Sequence, residues 1–231
     1  MTDDNYRAGD GAFHRLGTRH GFLAALHDLV KPMTYLEIGV QHGYSLALAH
    51  GAVTAIGVDP HPLVGPTGNQ VIVPTTSDAW FESLATAGQL PLVDLAFIDG
   101  MHLVEYAWRD FVGVERMCHP GAVVVFDDVL PRNQFEARRI PVGEPVVGDW
   151  TGDVWKIVGL LQIARPGLTL RLVDVFPTGI LVVTGFPDSS ELDAAVGTVT
   201  SQDEVVPSTI LDRYGALAPL VALQQIRAER D

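Results

Sequence analysis

Short apolar runs alternate with amphipathic stretches through most of the chain. Five runs, TYLEIGV (34–40), VTAIGVD (53–59), QVIVP (70–74), VDLAFID (93–99) and AVVVFDD (122–128), are too short for helices. They are rich in β-branched residues and near-continuously apolar, which predicts strands buried on both faces. Between them lie SLALAHG (45–51), SDAWFESLATAG (77–88) and LVEYAWRDFVGVERMC (103–118), each read as a helix. Ser77 or Asp78 is the expected N-cap of the second, and Cys118 falls near the end of the third. A helix over residues 12–29 precedes the first strand, with Phe13, Leu16, Phe22, Leu23 and Leu26 at helical spacing and Lys31-Pro32 after its end.

Beyond residue 128 the pattern breaks. Residues 129–149 are rich in proline, glycine and charge and read as a long loop, suited to a lid. A helix follows (153–164), then two strands, LTLRLVDV and GILVVTG, joined by Phe176-Pro177-Thr178-Gly179 as a hairpin turn. A last helix is expected over residues 216–229. Strands alternating with helices predict an α/β fold: a Rossmann-like, doubly wound, mostly parallel seven-stranded sheet with a terminal antiparallel hairpin strand. Residues 1–11 are expected to be flexible, and residues 12–231 to form one domain.

Composition narrows the function classes. The net charge is −13 and the pI about 4.8, which argues against nucleic acid, since phosphate binding needs a basic surface. One cysteine rules out an intramolecular disulfide or a multi-cysteine zinc site. No apolar run approaches the roughly 20 residues of a membrane span. The acidic start MTDDNYRAGDGAF has no apolar signal-peptide core, so the cytoplasm is the expected location and no membrane partner is expected.

On a doubly wound sheet, ligands bind outside the carboxyl ends of the strands. The polar residues at those ends are therefore the candidates for chemistry. LEIGVQHGYS (36–45) is a strand, a glycine turn and a helix start, with Gly39 and Gly43 allowing close backbone approach and Ser45 opening the helix. The spacing is G-x-x-x-G with Gln41 in place of a middle glycine, which disfavours a dinucleotide pyrophosphate. Glu37 would repel a pyrophosphate and suit a cationic ligand. Asp59 lies twenty residues beyond Gly39 and is placed to accept both hydroxyls of a ribose, or else to form a turn before Pro60. Ser77 and Asp78 either meet an adenine edge or only cap their helix.

Asp99, Asp127 and Asp128 end neighbouring strands. Three converging carboxylates resist ionising together. A hard divalent cation such as Mg²⁺, which takes oxygen ligands, resolves the conflict; the alternative is pairing with Arg109 or Arg132. His102, three residues beyond Asp99 and expected on the first helical turn, is the natural general base for a hydroxyl.

Together these motifs resemble the class I S-adenosylmethionine (SAM) methyltransferases. YLEIGVQHGYS is similar to their glycine-rich cofactor loop, and GVDP to their ribose-binding acid. FIDGMHLVEYAWRDF and GAVVVFDDV resemble the D-G-x-H and D-D segments of a subfamily that includes metal-dependent sugar O-methyltransferases. The resemblance covers residues 35–156. It implies SAM binding by Glu37, Gly39, Gly43, Ser45, Asp59, Ser77, Asp78 and Asp99, and Mg²⁺ on Asp99, Asp127 and Asp128. It further implies His102 as base beside Asp99, and a homodimer. The implied acceptor is a small molecule or oligosaccharide, with Trp150 and Trp155 stacking on a sugar ring or simply packing in the core. A catechol or other phenol is the alternative acceptor. From other classes, an NAD-dependent oxidoreductase and a non-catalytic SAM-binding module compete; Gln41 and Glu37 oppose the first, and His102 beside three acids opposes the second.

Overall fold

A computed structural model describes residues 15–141, 150–188, 201 and 204–230. Its strands are β1 (Thr34–Ile38), β2 (Thr54–Val58), β3 (Gln70–Val73), β4 (Val93–Ile98), β5 (Cys118–Phe126), β6 (Thr169–Val173) and β7 (Ile180–Thr184). They form a seven-stranded sheet in the order β3-β2-β1-β4-β5-β7-β6. The first five pair in parallel, and β7 runs antiparallel between β5 and β6. The expected Rossmann-like architecture is thus the observed one.

The period-2 alternation of the strands builds two cores. Leu36, Ile38, Ala96, Ile98, Val124 and Phe126 face one side, where α2 (Ser77–Ala87), α3 (Val104–Glu115) and α4 (Ile157–Ala164) cover them. Tyr35, Leu95, Phe97, Val123 and Val125 face the other, under α1 (Arg19–Val30) and α6 (Pro219–Arg230). A short helix, α5 (Ser208–Leu211), was not expected from the pattern. No helix among the described residues is long and apolar enough to cross a membrane.

Several boundaries differ from the sequence reading, each for a local reason. Helix α1 starts at Arg19, later than expected, because Thr18 is extended and its side chain caps the Gly21 amide. Its expected first residues, 12–14, lie outside the described residues, as do 1–11. SLALAHG forms a 3-10 helix over Leu46–Gly51 with a kink at Ala49. Thr76 caps α2, so neither Ser77 nor Asp78 does. Helix α3 begins at Val104, which leaves His102 in the loop before it. Cys118 opens β5 and does not close the preceding helix; it is buried and free. Residues 129–141 are irregular, and 142–149 of the expected lid lie outside the described residues.

The strand order reverses between β1 and β4, whose helical connections leave on opposite faces. That leaves a crevice above their carboxyl ends. Its rigidity comes from the packing beneath. Phe111 is fully buried, stacks with Trp108 and packs at a tilt against Phe126 and Phe186, joining α3 to β5. Phe111→Ala is expected to cost about 3–5 kcal/mol. Urea unfolding with an unchanged m-value checks it, and a loss under 1 kcal/mol would mean that the cluster collapses around the gap.

Candidate functional site

A cavity of about 840 Å³ opens at the carboxyl ends of β1, β2 and β4. One end is built by the glycine turn. Gly39 has φ +90, and a Cβ there would sit 1.9 Å from the carbonyl oxygen of Asp99. Only glycine permits this approach, so the turn after β1 lies directly on the end of β4. Gln41, in place of a second glycine, also adopts left-handed geometry at φ 44.

Asp59 holds this turn in shape. Its Oδ2 accepts the amides of Val40 and Gln41, both at 2.8 Å, and its Oδ1 accepts the amide of His61 at 2.7 Å. The carboxylate also lines the cavity, and Oδ1, which accepts a single bond, keeps a further lone pair for a ligand hydroxyl. Glu37, expected among the SAM-binding residues, lies beneath the cavity instead. It is fully buried and accepts bonds from the Tyr35 hydroxyl at 2.6 Å and the Ser45 hydroxyl at 2.8 Å. Burial pushes its carboxyl up to about 8, against the pull of those two bonds. Ser45 does line the cavity and links its wall to Glu37.

Ser77 and Asp78 also lie on the wall. Asp78 is half exposed and forked by Arg109, with Nε and Nη2 each at 2.9 Å. Asp110, which sequence reasoning passed over, lies behind them. It is buried, lines the cavity, and is pushed up to about 7 by burial despite a bond from Ser77. Its signal was present in the sequence: an acid among the buried positions of α3, between Ala107 and Phe111.

The far end of the cavity is acidic. Asp99 follows β4, and Asp127 and Asp128 follow β5. Asp128 takes φ 61, so the two neighbouring carboxylates diverge. Asp128 accepts from Thr178 Oγ1 at 2.6 Å and lies 3.3 Å from His102 Nδ1. His102 Nε2 is 3.5 Å from Asp99 Oδ1. Asp127 turns instead to the Arg19 guanidinium, which also lies 3.6 Å from Asp99. The expected metal set was Asp99, Asp127 and Asp128. The structure groups ligand atoms of Asp99, His102 and Asp128 within 4.8 Å of one another and leaves Asp127 with Arg19. The alternative partners Arg109 and Arg132 are engaged elsewhere, with Asp78 and Glu136.

Burial pushes Asp99 and Asp128 up, and Asp127 up to about 6. Burial opposes charge on His102 too, but Asp128 and Asp99 outweigh it and raise the imidazole to about 10. The ring stacks on Trp150 with centroids 5.3 Å apart, and Nδ1 meets the Trp150 carbonyl. Gly152, φ +55, makes this possible, since a Cβ there would lie 1.6 Å from the His102 carbonyl oxygen. Trp150 lines the cavity, whereas Trp155 packs against Ala137 and Val206, away from it.

Residues 36–129 match the family model described as a methyltransferase domain, a span running from the glycine turn through Asp128. No curated protein matches the chain. Solved structures share the fold. One is the O-methyltransferase from Bacillus cereus in complex with SAH (16% identity, TM-score 0.53, covering 72% of this chain and 80% of that one). Another is a putative O-methyltransferase from Klebsiella pneumoniae (19%, 0.53, 79% and 93%). A third is TomG from Streptomyces achromogenes, an O-methyltransferase involved in tomaymycin synthesis, in complex with SAM (19%, 0.54, 72% and 79%). The fold is therefore the Rossmann-like methyltransferase fold.

The buried Glu37 makes a pH prediction. Its folded value of about 8 lies above its ordinary 4.5. The folded state therefore holds more protons between those values, and stability falls as pH rises through that window. The contribution is whole below pH 4.5 and gone above about pH 8. Glu37→Gln, which cannot ionise, is expected to flatten this part of the melting-temperature profile. Parallel profiles for the two proteins between pH 5 and 9 would show that Glu37 ionises freely where it is.

Proposed function

We propose that the protein is a SAM-dependent O-methyltransferase acting on a hydroxyl of a saccharide. The observation that carries this reading is the continuity of one cavity. It joins a glycine turn braced by a strand-end acid to a histidine among carboxylates. A methyl donor and an acceptor need such a shared chamber.

The donor's nucleoside half fits the glycine-turn end. Asp59 takes a ribose hydroxyl with the spare lone pair of Oδ1. Asp110 and Ser77 offer polar contacts to the base, and Asp78, held by Arg109, guards the rim. Gly39 brings the donor close to Asp99, and so to the acidic end where the acceptor hydroxyl would lie. The hydroxyl oxygen attacks the methyl carbon, the carbon–sulfur bond breaks, and its electron pair leaves the sulfonium as a neutral thioether. The hydroxyl proton passes to His102 Nε2. Fixing donor and acceptor in line is worth roughly 7–11 kcal/mol in favourable systems.

The oxygen-rich donor set of Asp99 and Asp128 suits Mg²⁺. When bound there, Mg²⁺ would supply a Lewis acid that lowers the acceptor hydroxyl's pKa. The same two carboxylates hold the His102 imidazole charged, and a cation on them would leave the ring free to accept a proton. Trp150, stacked on His102 at the cavity wall, offers a flat face to a sugar ring. A planar phenol is the second reading. The aromatic group of His20, Tyr44 and His42 favours it, with His42 and Tyr44 stacked at 5.7 Å and His20 edge-on to Tyr44. A structural neighbour from Staphylococcus aureus is named a putative caffeoyl-CoA O-methyltransferase.

His102→Ala is expected to retain S-adenosylhomocysteine affinity while methyl transfer falls by about 10²–10⁴-fold. Mass spectrometry of acceptor panels, beginning with mannosides and glucosides and including catechols, reads both the activity and the acceptor. Unchanged turnover in the variant would remove His102 as base, and methylation confined to catechols would replace the saccharide reading.

A further inference from the structure

Arg19 stands where a cation is poorly placed by its own helix. It is the first residue of α1, and the positive end of a helix dipole disfavours a guanidinium there. Its backbone is nevertheless pinned. The Arg19 amide donates to the Phe176 carbonyl at 3.0 Å, and the Phe176 amide donates to the Gly17 carbonyl at 2.8 Å. These bonds tie the start of α1 to the β6–β7 connection and hold the guanidinium at the ends of β4 and β5. There it contacts Asp127 and lies 3.6 Å from Asp99.

The pairing is incomplete. Asp127 is 2% exposed, yet its Oδ1 has no hydrogen-bond partner among the described residues. A second, small cavity of about 10 Å³ is lined by Asp99, His102, Asp127 and Asp128. That is close to the space one water-sized occupant needs. So a buried acceptor remains open beside the Asp99–His102–Asp128 group, and Asp99 is shared between that group and Arg19.

We propose that Arg19 is the built-in counter-ion of this acidic cluster and the competitor of a divalent cation there. This inference rests on the metal reading above and deepens it. A cation bound between Asp99 and Asp128 must displace or repel the fixed guanidinium charge, which stands within contact range of Asp99. Arg19 keeps the cation-free carboxylates from repelling one another, and in doing so weakens the cluster's hold on a metal. The strength of cation binding is then a property of α1, not only of the strand ends.

The test is titration of the full chain with Mn²⁺, following free ion by electron paramagnetic resonance. Wild type is compared with Arg19→Gln, which removes the charge, and Arg19→Lys, which keeps it. Arg19→Gln is expected to bind Mn²⁺ at least ~10-fold tighter than wild type, a difference of about 1.4 kcal/mol, with Arg19→Lys close to wild type. Equal affinities in all three proteins would overturn the competition while leaving the metal reading intact. No binding by any of them would overturn both. If Arg19→Gln unfolds without metal, Mn²⁺ is expected to restore its fold by supplying the missing charge; failure to refold with Mn²⁺ would also contradict the proposal.

Discussion

Crowded carboxylates at adjacent strand ends resist being charged together unless cations stand among them. Asp99, Asp127 and Asp128 impose that constraint here, and the surrounding structure answers it. Arg19 reaches in from α1, His102 from the loop before α3, and Thr178 from the turn before β7. The left-handed geometry of Asp128 directs its carboxylate to one side and that of Asp127 to the other. The cluster thus ties together α1, β4, β5 and the β6–β7 connection. Removing one charge would leave its partner buried and uncompensated, which costs more than the pair contributes.

A second constraint links this cluster to the rest of the cavity. The turn after β1 can press on the end of β4 because Gly39 has no side chain. Asp59 fixes the turn by accepting the amides of Val40 and Gln41. A ligand resting on the turn is therefore brought beside Asp99 without any movement of the sheet. Outside the cavity, Arg139 bonds Glu105 and Asp153, while Asp153 accepts the first amide of α3. That network positions the segment carrying Trp150 and Gly152 against His102.

Most of the sheet was legible in the sequence, because buried parallel strands read as continuous apolar runs and end in visible acids. Gly39, Asp59, Asp99, His102 and Asp128 were legible for the same reason, and all line the cavity. What remained hidden depends on contacts between distant segments. Nothing near Arg19 in the chain shows that it meets Asp127, 108 residues away. Glu37 looked like a ligand from its place in the glycine-turn segment, but the alternation of β1 directs it beneath the cavity, to Tyr35 and Ser45. Trp155 could not be separated from Trp150 by composition; the packing of Ala137 and Val206 decides it. The helix starts slipped because Thr18 and Thr76 cap them, and a cap is chosen by backbone geometry that several neighbouring polar residues could satisfy.

The proposed function turns on the glycine-turn end of the cavity holding the nucleoside of a methyl donor. Calorimetric titration with S-adenosylhomocysteine, run beside NAD and repeated on Asp59→Ala, tests it most directly. Saturable one-to-one binding of S-adenosylhomocysteine, a marked loss of affinity in the variant, and no binding of NAD are expected. Binding of NAD in preference, or S-adenosylhomocysteine binding untouched by the loss of Asp59, would contradict it.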